Sequence, residues 1–181
     1  MRAAGRAVRA VHRHEPERAA DLAAESERAL REAQEALRGY PSVAHAGFLH
    51  DAEKEYAEAV LTRALTGGLD LPGPDELGVG IPAWLNGLAE AASELRRHLL
   101  DLLRTDETSR AEDLLAVMED VYEALVTVDL PDAVTGGLRR STDALRAVLE
   151  RTRSDVTATV VQGRLREALE RRYPDAPPAG V

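Results

Sequence analysis

Two pairs of glutamates have the residue type and spacing to support chemistry in this chain. Glu55 and Glu58 lie three residues apart in the run DAEKEYAEAV, residues 51–60. Glu90 and Glu94 lie four residues apart in the run WLNGLAEAASEL. Residues three or four positions apart share one face of an α-helix. Each run therefore predicts a helix with a two-carboxylate edge.

The segment between the two runs decides whether these edges meet. Residues 66–82, TGGLDLPGPDELGVGIP, are rich in Gly and Pro, and such a connection is long enough for the flanking helices to fold back antiparallel. At a rise of about 1.5 Å per residue, Glu58 lies roughly 10 Å before the connection and Glu90 roughly 13 Å after it. The four carboxylates are therefore expected at about the same height.

Four like charges beside an apolar interface repel one another and lose hydration. A cation among them would offset both costs. The chain has no cysteine, so the available donors are oxygens, which suit Mg²⁺ or Mn²⁺ better than zinc. The pattern predicts a divalent metal site whose ligands are Glu55, Glu58, Glu90 and Glu94. The alternative is that these glutamates are ordinary solvated faces of Glu-rich helices.

The composition indicates one all-α domain. The chain has 181 residues, of which 3% are aromatic, and Ala, Leu, Arg and Glu dominate. The first predicted helix has four arginines around Val8 and Val11, and we interpret it as too polar for the core. The predicted helices cover residues 2–14, 16–38, 40–65, 82–104, from 106 or 108 to 128, and 132–172, the last as one helix or two with Gly136-Gly137 and Gly163 as weak points.

The domain is predicted to cover residues 1–172, followed by a disordered tail, YPDAPPAGV, at 173–181.

The net charge is −9, and residues 40–130 carry 18 acids against six basic residues. Such acidity argues against nucleic-acid binding by the whole surface, although local arginine clusters can bind phosphate. The first residues lack the apolar segment of a signal peptide, and no long apolar run occurs. A cytoplasmic protein without membrane association is expected.

With these segments in place, the chain resembles the translin/Trax family of single-stranded nucleic-acid-binding proteins. The similarity extends over most of the chain in family order. The matching stretches are AVHR (10–13), KEYAEA (54–59), ELGV (76–79), WLNGLAEAASELRRHLLDLLR (84–104), VMEDVYEAL (117–125), DLPD (129–132), LRRSTDALR (138–146) and LERTRSD (149–155).

The resemblance implies a bundle of about seven helices that assembles into homo-oligomers, often octamers, enclosing RNA or single-stranded DNA. Translin subunits bind nucleic acid through basic residues, whereas Trax subunits carry a metal-dependent endoribonuclease site. The Trax pattern has E-Y-x-E on one helix and, on the next, an acid followed four residues later by Glu. Glu55 and Glu58 match the first part, and Glu90 and Glu94 match the second. Glu90 replaces an Asp of Trax, and the basic segment of translin is reduced here to His45 and His50.

The resemblance therefore implies an endoribonuclease whose catalytic residues and Mg²⁺ or Mn²⁺ ligands are the four glutamates. One of Glu55 and Glu58 would accept the proton of the attacking water, and His98 would orient a ligand. Since an acidic site repels phosphate, basic residues must bring the single-stranded RNA or DNA to it. The candidates for nucleic-acid binding are Arg9, His12, Arg13, Arg97, Arg139 and Arg140, with Arg96 as a further possibility.

Two alternatives remain. The chain can be a non-catalytic RNA- or single-stranded-DNA-binding scaffold within an oligomeric shell. A four-helix metal-storage or di-iron protein is disfavoured, because such sites use Glu-x-x-His on two helices and this pattern does not occur in the chain.

Overall fold

The computed structural model of the protein describes residues 2–173. Over this range the chain forms nine helices and no strand, and 83% of the residues are helical, which confirms the all-α prediction. Of the predicted tail, all but Tyr173 lies outside the described residues. The helices are α1 (Arg2–His12), α2 (Pro16–Leu37), α3 (Pro41–Ala44), α4 (Phe48–Gly67), α5 (Pro74–Leu77), α6 (Ile81–Arg104), α7 (Thr108–Val126), α8 (Asp132–Thr135) and α9 (Leu138–Arg172).

Six of these helices are long, and they form a bundle around α6. This helix packs against α4 on one side and against α7 and α9 on the other, while α1 and α2 cover α4. The leucines of α6 lie mostly in the core, with Leu95 and Leu99 fully buried, as expected for apolar residues at three- and four-residue spacing. No helix within residues 2–173 is both long enough and apolar enough to cross a membrane.

The interpretation of α1 as too polar for the core is wrong. Its buried residues are Ala4, Ala7, Val8 and Ala10, which lie on one side of the helix. α1 packs against both α2 and α4 through this side. Alanine contributes little hydrophobicity but lets helices approach closely, so counting only the large apolar residues underestimated this buried face.

The predicted third helix, 40–65, is divided into α3 and α4. The break falls at residues 45–47, where Gly47 has a φ of 102°, a left-handed conformation that residues with a Cβ rarely adopt. Proline begins the short helices α3 and α5, since its fixed φ suits the first helical position. Short helices of this kind explain why residues 2–173 form nine helices where about seven were expected.

The connection between α4 and α6 is held against the bundle by polar contacts. The indole N–H of Trp84 donates to the carbonyl of Pro72 at 2.9 Å. Arg31 of α2 donates to the carbonyl of Leu77 at 3.0 Å, and Glu53 of α4 accepts from the backbone N–H of Gly80 at 3.1 Å. These contacts fix the turn that brings α6 back along α4.

The predicted break at Gly136-Gly137 is present between α8 and α9, whereas Gly163 lies within α9. Asn86, a buried residue of α6, holds the break in place. Its Nδ2 donates to the carbonyl of Thr135 at 2.7 Å, and its Oδ1 accepts from the hydroxyl of Ser141 at 2.6 Å. The start of α9 is thereby fixed beside the N-terminal part of α6.

Candidate functional site

The four predicted glutamates line one cavity. Its volume is about 440 Å³, and α1, α4 and α6 supply its walls. The residues that line it are Gly5, Val8, Arg9, His12, Lys54, Glu55, Glu58, Glu90, Glu94 and Arg97. The two carboxylate edges predicted from helical spacing therefore meet.

Close packing of α4 and α6 brings the carboxylates together. Lys54 pairs with Glu90, and Ala57 faces Gly87, so residue numbers rise along one helix as they fall along the other. This register confirms the antiparallel prediction. A Cβ on Gly87 would lie 2.9 Å from the carbonyl oxygen of Lys54 and 3.0 Å from the amide nitrogen of Glu58. Glycine at this position is therefore what allows the close approach.

Glu58 is the most perturbed carboxyl group of the site. Its pKa is raised from 4.5 to about 8, mainly by burial and then by the charges of Glu90 and Glu94, against an opposing effect of Lys54. Desolvation and neighbouring like charges both disfavour an ionised carboxylate. The site therefore has more negative charge than its own cations offset.

Lys54 supplies positive charge inside the cavity. Its Nζ donates to Glu90 Oε1 at 2.8 Å, and its side chain is 25% exposed. Burial by itself lowers the pKa of Lys54, but the hydrogen bond and charge of Glu90, together with the charges of Asp51 and Glu58, raise it above the ordinary value. The ammonium is therefore held in its charged form beside the carboxylates.

His12 contacts the second glutamate of α6. Its Nε2 lies 2.6 Å from Glu94 Oε2, and its side chain is only 4% exposed. Sequence reasoning assigned His12 to nucleic-acid binding and missed this contact, although its position in α1 and the AVHR match already singled it out. His12 Nδ1 is buried and has no hydrogen-bond partner, so the ring is held mainly by packing and by Glu94.

His98 was expected to orient a ligand, but its ring packs against His14. Its centroid lies 5.3 Å from that of His14, and burial followed by the charge of His14 lowers its pKa. His12 is the histidine that contacts the carboxylate site.

The basic residues predicted to bind nucleic acid lie in different parts of the structure. Arg9 and Arg97 are exposed and line the carboxylate cavity, and Arg13 is exposed at the end of α1. Arg140 lines a neighbouring cavity, whereas Arg139 lines another between the end of α7 and the start of α9. The structure thus brings only part of the predicted set to the glutamates.

Arg96, the further possibility, has a structural contact. Its guanidinium donates to Asp155 Oδ2 at 2.8 Å and to the hydroxyl of Thr152 at 3.1 Å. These bonds join α6 to α9, so the side chain is directed away from the carboxylate cavity.

The donor set fits a hard divalent cation. All four carboxylates line one cavity, and oxygen donors are those that Mg²⁺ and Mn²⁺ prefer. Among residues 2–173 no three His, Asp or Glu side chains are already arranged to hold a metal ion. Two of the carboxylates instead contact Lys54 and His12. Metal binding would therefore require small side-chain rearrangements.

No protein-family model matches the chain. An uncharacterized protein of Methanocaldococcus jannaschii is 32% identical over 126 residues, which cover 69% of this chain and 56% of the relative. The match therefore spans little more than half the length of that relative.

Solved structures give a more complete match. AfC3PO from Archaeoglobus is 31% identical with a TM-score of 0.78, and the match covers 88% of this chain and 83% of that chain. AfC3PO in complex with duplex RNA is 32% identical with a TM-score of 0.76, at the same coverage. Apo-NeC3PO from Nematostella, at 20% identity and a TM-score of 0.78, covers 87% of this chain and 82% of that chain and shares the fold.

The helical bundle is that of the C3PO proteins. AfC3PO is similar over most of both chains and is of translin/Trax type. This chain belongs to the translin/Trax family, which confirms the resemblance found in the sequence.

Proposed function

We propose that this protein is a Trax-type, Mg²⁺- or Mn²⁺-dependent endoribonuclease that acts on single-stranded RNA. The observation that carries the proposal is the meeting of Glu55, Glu58, Glu90 and Glu94 at one cavity. The presence of RNA in the AfC3PO complex supports RNA as the substrate class. Arg9 and Arg97 at the edge of the cavity would offset the repulsion between phosphates and carboxylates.

In this proposal the four glutamates would form the site, with Glu90, Glu94 and one of Glu55 and Glu58 as direct ligands of the divalent ion and the other left to act as the base. When bound, the ion would supply charge neutralisation and a more acidic water. One of Glu55 and Glu58 accepts the proton as the water oxygen attacks phosphorus. The phosphorus–oxygen bond to the leaving nucleotide breaks, and the departing oxygen takes up a proton from solvent water. His12, in contact with Glu94, fixes the orientation of that carboxylate.

Cleavage of labelled RNA in the presence of Mg²⁺ tests the proposal. The protein should cleave single-stranded RNA, and Glu58→Ala or Glu94→Ala should abolish cleavage. Glu123→Gln on the exposed surface of α7 is the matched control and should cleave as the original protein does. Equal cleavage by all variants would remove the assigned site. Duplex RNA and single-stranded DNA, run in parallel, define the substrate class.

A non-catalytic RNA-binding scaffold is the second candidate. Lys54 and His12 already contact two of the four carboxylates, so these carboxylates have polar partners without a metal, and this observation favours the scaffold. RNA binding that is unchanged by a chelator, with no cleavage at any metal concentration, would establish it.

We also propose that copies of the chain assemble into a homo-oligomer. The leucines of α6 are largely buried within the bundle, so they do not supply an interface with another copy. The end of α9 instead exposes Val161, Leu165 and Leu169 at four-residue spacing. Residues at this spacing form one stripe, and an exposed apolar stripe favours association.

A further inference from the structure

Lys54 has a position and a residue type that the carboxylate site alone does not explain. It is the single lysine among 23 basic residues. Its side chain lies among the glutamates, with Nζ 2.8 Å from Glu90 Oε1. An ammonium has three N–H donors, so this bond leaves donors available for another acceptor.

Lys54 also lies on a wall between two cavities. Lys54 and Glu90 line both the carboxylate cavity and a second cavity of about 470 Å³. The second cavity lies between α4, α6 and the α8–α9 turn, and its polar lining includes His50, Asp51, Arg140 and Ser141. An RNA strand that extends from one cavity to the other would pass Lys54, so a phosphate at the boundary would meet its ammonium.

We propose that Lys54 is a catalytic residue whose ammonium contacts a non-bridging oxygen of the phosphate that is cleaved. The inference rests on the proposed endoribonuclease function. The ammonium offsets charge that develops on the phosphate, and no proton moves to or from Lys54. Lysine fits this role because its charge is compact, whereas a guanidinium favours bidentate pairing with one carboxylate.

Single-turnover cleavage of single-stranded RNA tests this role. Lys54→Met should slow cleavage by about 100-fold or more, the scale of losing one donor to developing charge. Lys54→Arg should retain more activity than Lys54→Met, because it keeps the positive charge. Arg153→Met, which removes only a surface ion pair with Glu119, is the control and should cleave normally. Thermal unfolding confirms that each variant is folded.

The metal dependence separates a direct role from a positioning role. If Lys54 contacts the phosphate, the Mn²⁺ concentration for half-maximal cleavage in Lys54→Met should stay within about threefold of the original value, with the rate low at saturation. If Lys54 only orients Glu90, excess Mn²⁺ should restore the rate. Such restoration, or an unchanged rate in Lys54→Met, would overturn the inference.

A second measurement does not depend on cleavage. Acylation of the single lysine can be followed by mass spectrometry on the original protein, with Mg²⁺ alone and with a saturating phosphorothioate RNA that resists cleavage. The RNA should slow acylation at least fivefold. An unchanged acylation rate with RNA bound would overturn the inference. Protection without cleavage of ordinary RNA would instead overturn the proposed nuclease function and the catalytic role, and would leave Lys54 as an RNA-contacting residue.

Discussion

His12 Nε2 and Glu94 Oε2 lie 2.6 Å apart, joining α1 to α6 across 82 positions of the chain. The imidazole is buried against the packed side of α1, where Val8 and Ala10 belong to the core. Its orientation is therefore set by the fold. Because a carboxylate with a fixed neighbour samples fewer orientations, this contact connects the packing of α1 to the geometry of the proposed metal site.

Replacing His12 should weaken metal binding. His12→Ala removes the partner of Glu94, and loss of such an outer contact lowers metal affinity by about 10- to 100-fold. His12→Gln keeps a hydrogen-bond donor and should lose less. Calorimetric titration with Mn²⁺ measures the effect, and His45→Gln, on the exposed α3 segment, is the control. Unchanged affinity in His12→Ala would show that the contact has no influence on metal binding.

The stability of the metal-free protein should fall as pH rises. The pKa of Glu58 is about 8 in the folded protein against an ordinary 4.5, so between these values the folded state binds more protons than the unfolded state. The contribution of Glu58 to the free energy of unfolding is fully present below about pH 4.5 and is lost by about pH 8. Thermal unfolding from pH 4 to 9 with a chelator measures the trend, and Glu58→Gln should flatten it. A steep trend retained in that variant would assign it to other groups.

Metal uptake should release protons near neutral pH. A carboxyl group with a pKa of about 8 is largely protonated at pH 7, and a ligand must be deprotonated to bind a metal. Mn²⁺ titrations at pH 7, in buffers with different enthalpies of ionisation, should show approximately one proton released per bound ion. Glu58→Asp keeps a carboxyl group and should still release protons. No dependence on the buffer in the original protein would contradict the prediction.

Gly87→Ala should destabilise the protein. The new Cβ would lie within about 3 Å of the carbonyl of Lys54, the amide of Glu58 and the Cβ of Ala57, and overpacking of this kind costs about 1–3 kcal/mol. Urea unfolding measures the change. Gly163→Ala is the matched control, because its Cβ would have no neighbour within 4 Å. That control should stabilise α9 by up to about 1 kcal/mol. Equal effects of the two substitutions would argue against the close α4–α6 contact.

The apolar stripe on α9 should control the assembly state. Leu165→Glu places a charge in the middle of the stripe formed with Val161 and Leu169, where burial against another copy would desolvate it. Light scattering after size-exclusion chromatography should show a smaller particle. Glu170→Gln also changes the charge by one unit, in the opposite direction, on another face of α9. It should not alter the mass of the particle. An unchanged mass for Leu165→Glu would exclude the stripe as the interface.

The sequence alone determined the all-α fold, the long helices and the meeting of the four glutamates. These features depend on local information, namely helical spacing, Gly and Pro at segment ends, and a connection that lets α4 and α6 run antiparallel. Glu58 and Glu94 were assigned to one site because helix geometry fixes which side chains share an edge, and the register follows from the connection.

The tertiary structure alone decided which groups accompany those carboxylates. Neither the contact of His12 with Glu94 nor the bond of Lys54 to Glu90 follows from periodicity, because each partner lies on another helix. The burial of α1 also required the packed bundle, since small alanines carry a weak hydrophobic signal. Burial, desolvation and partner choice arise between segments distant in the chain, so they are set only when the helices pack together.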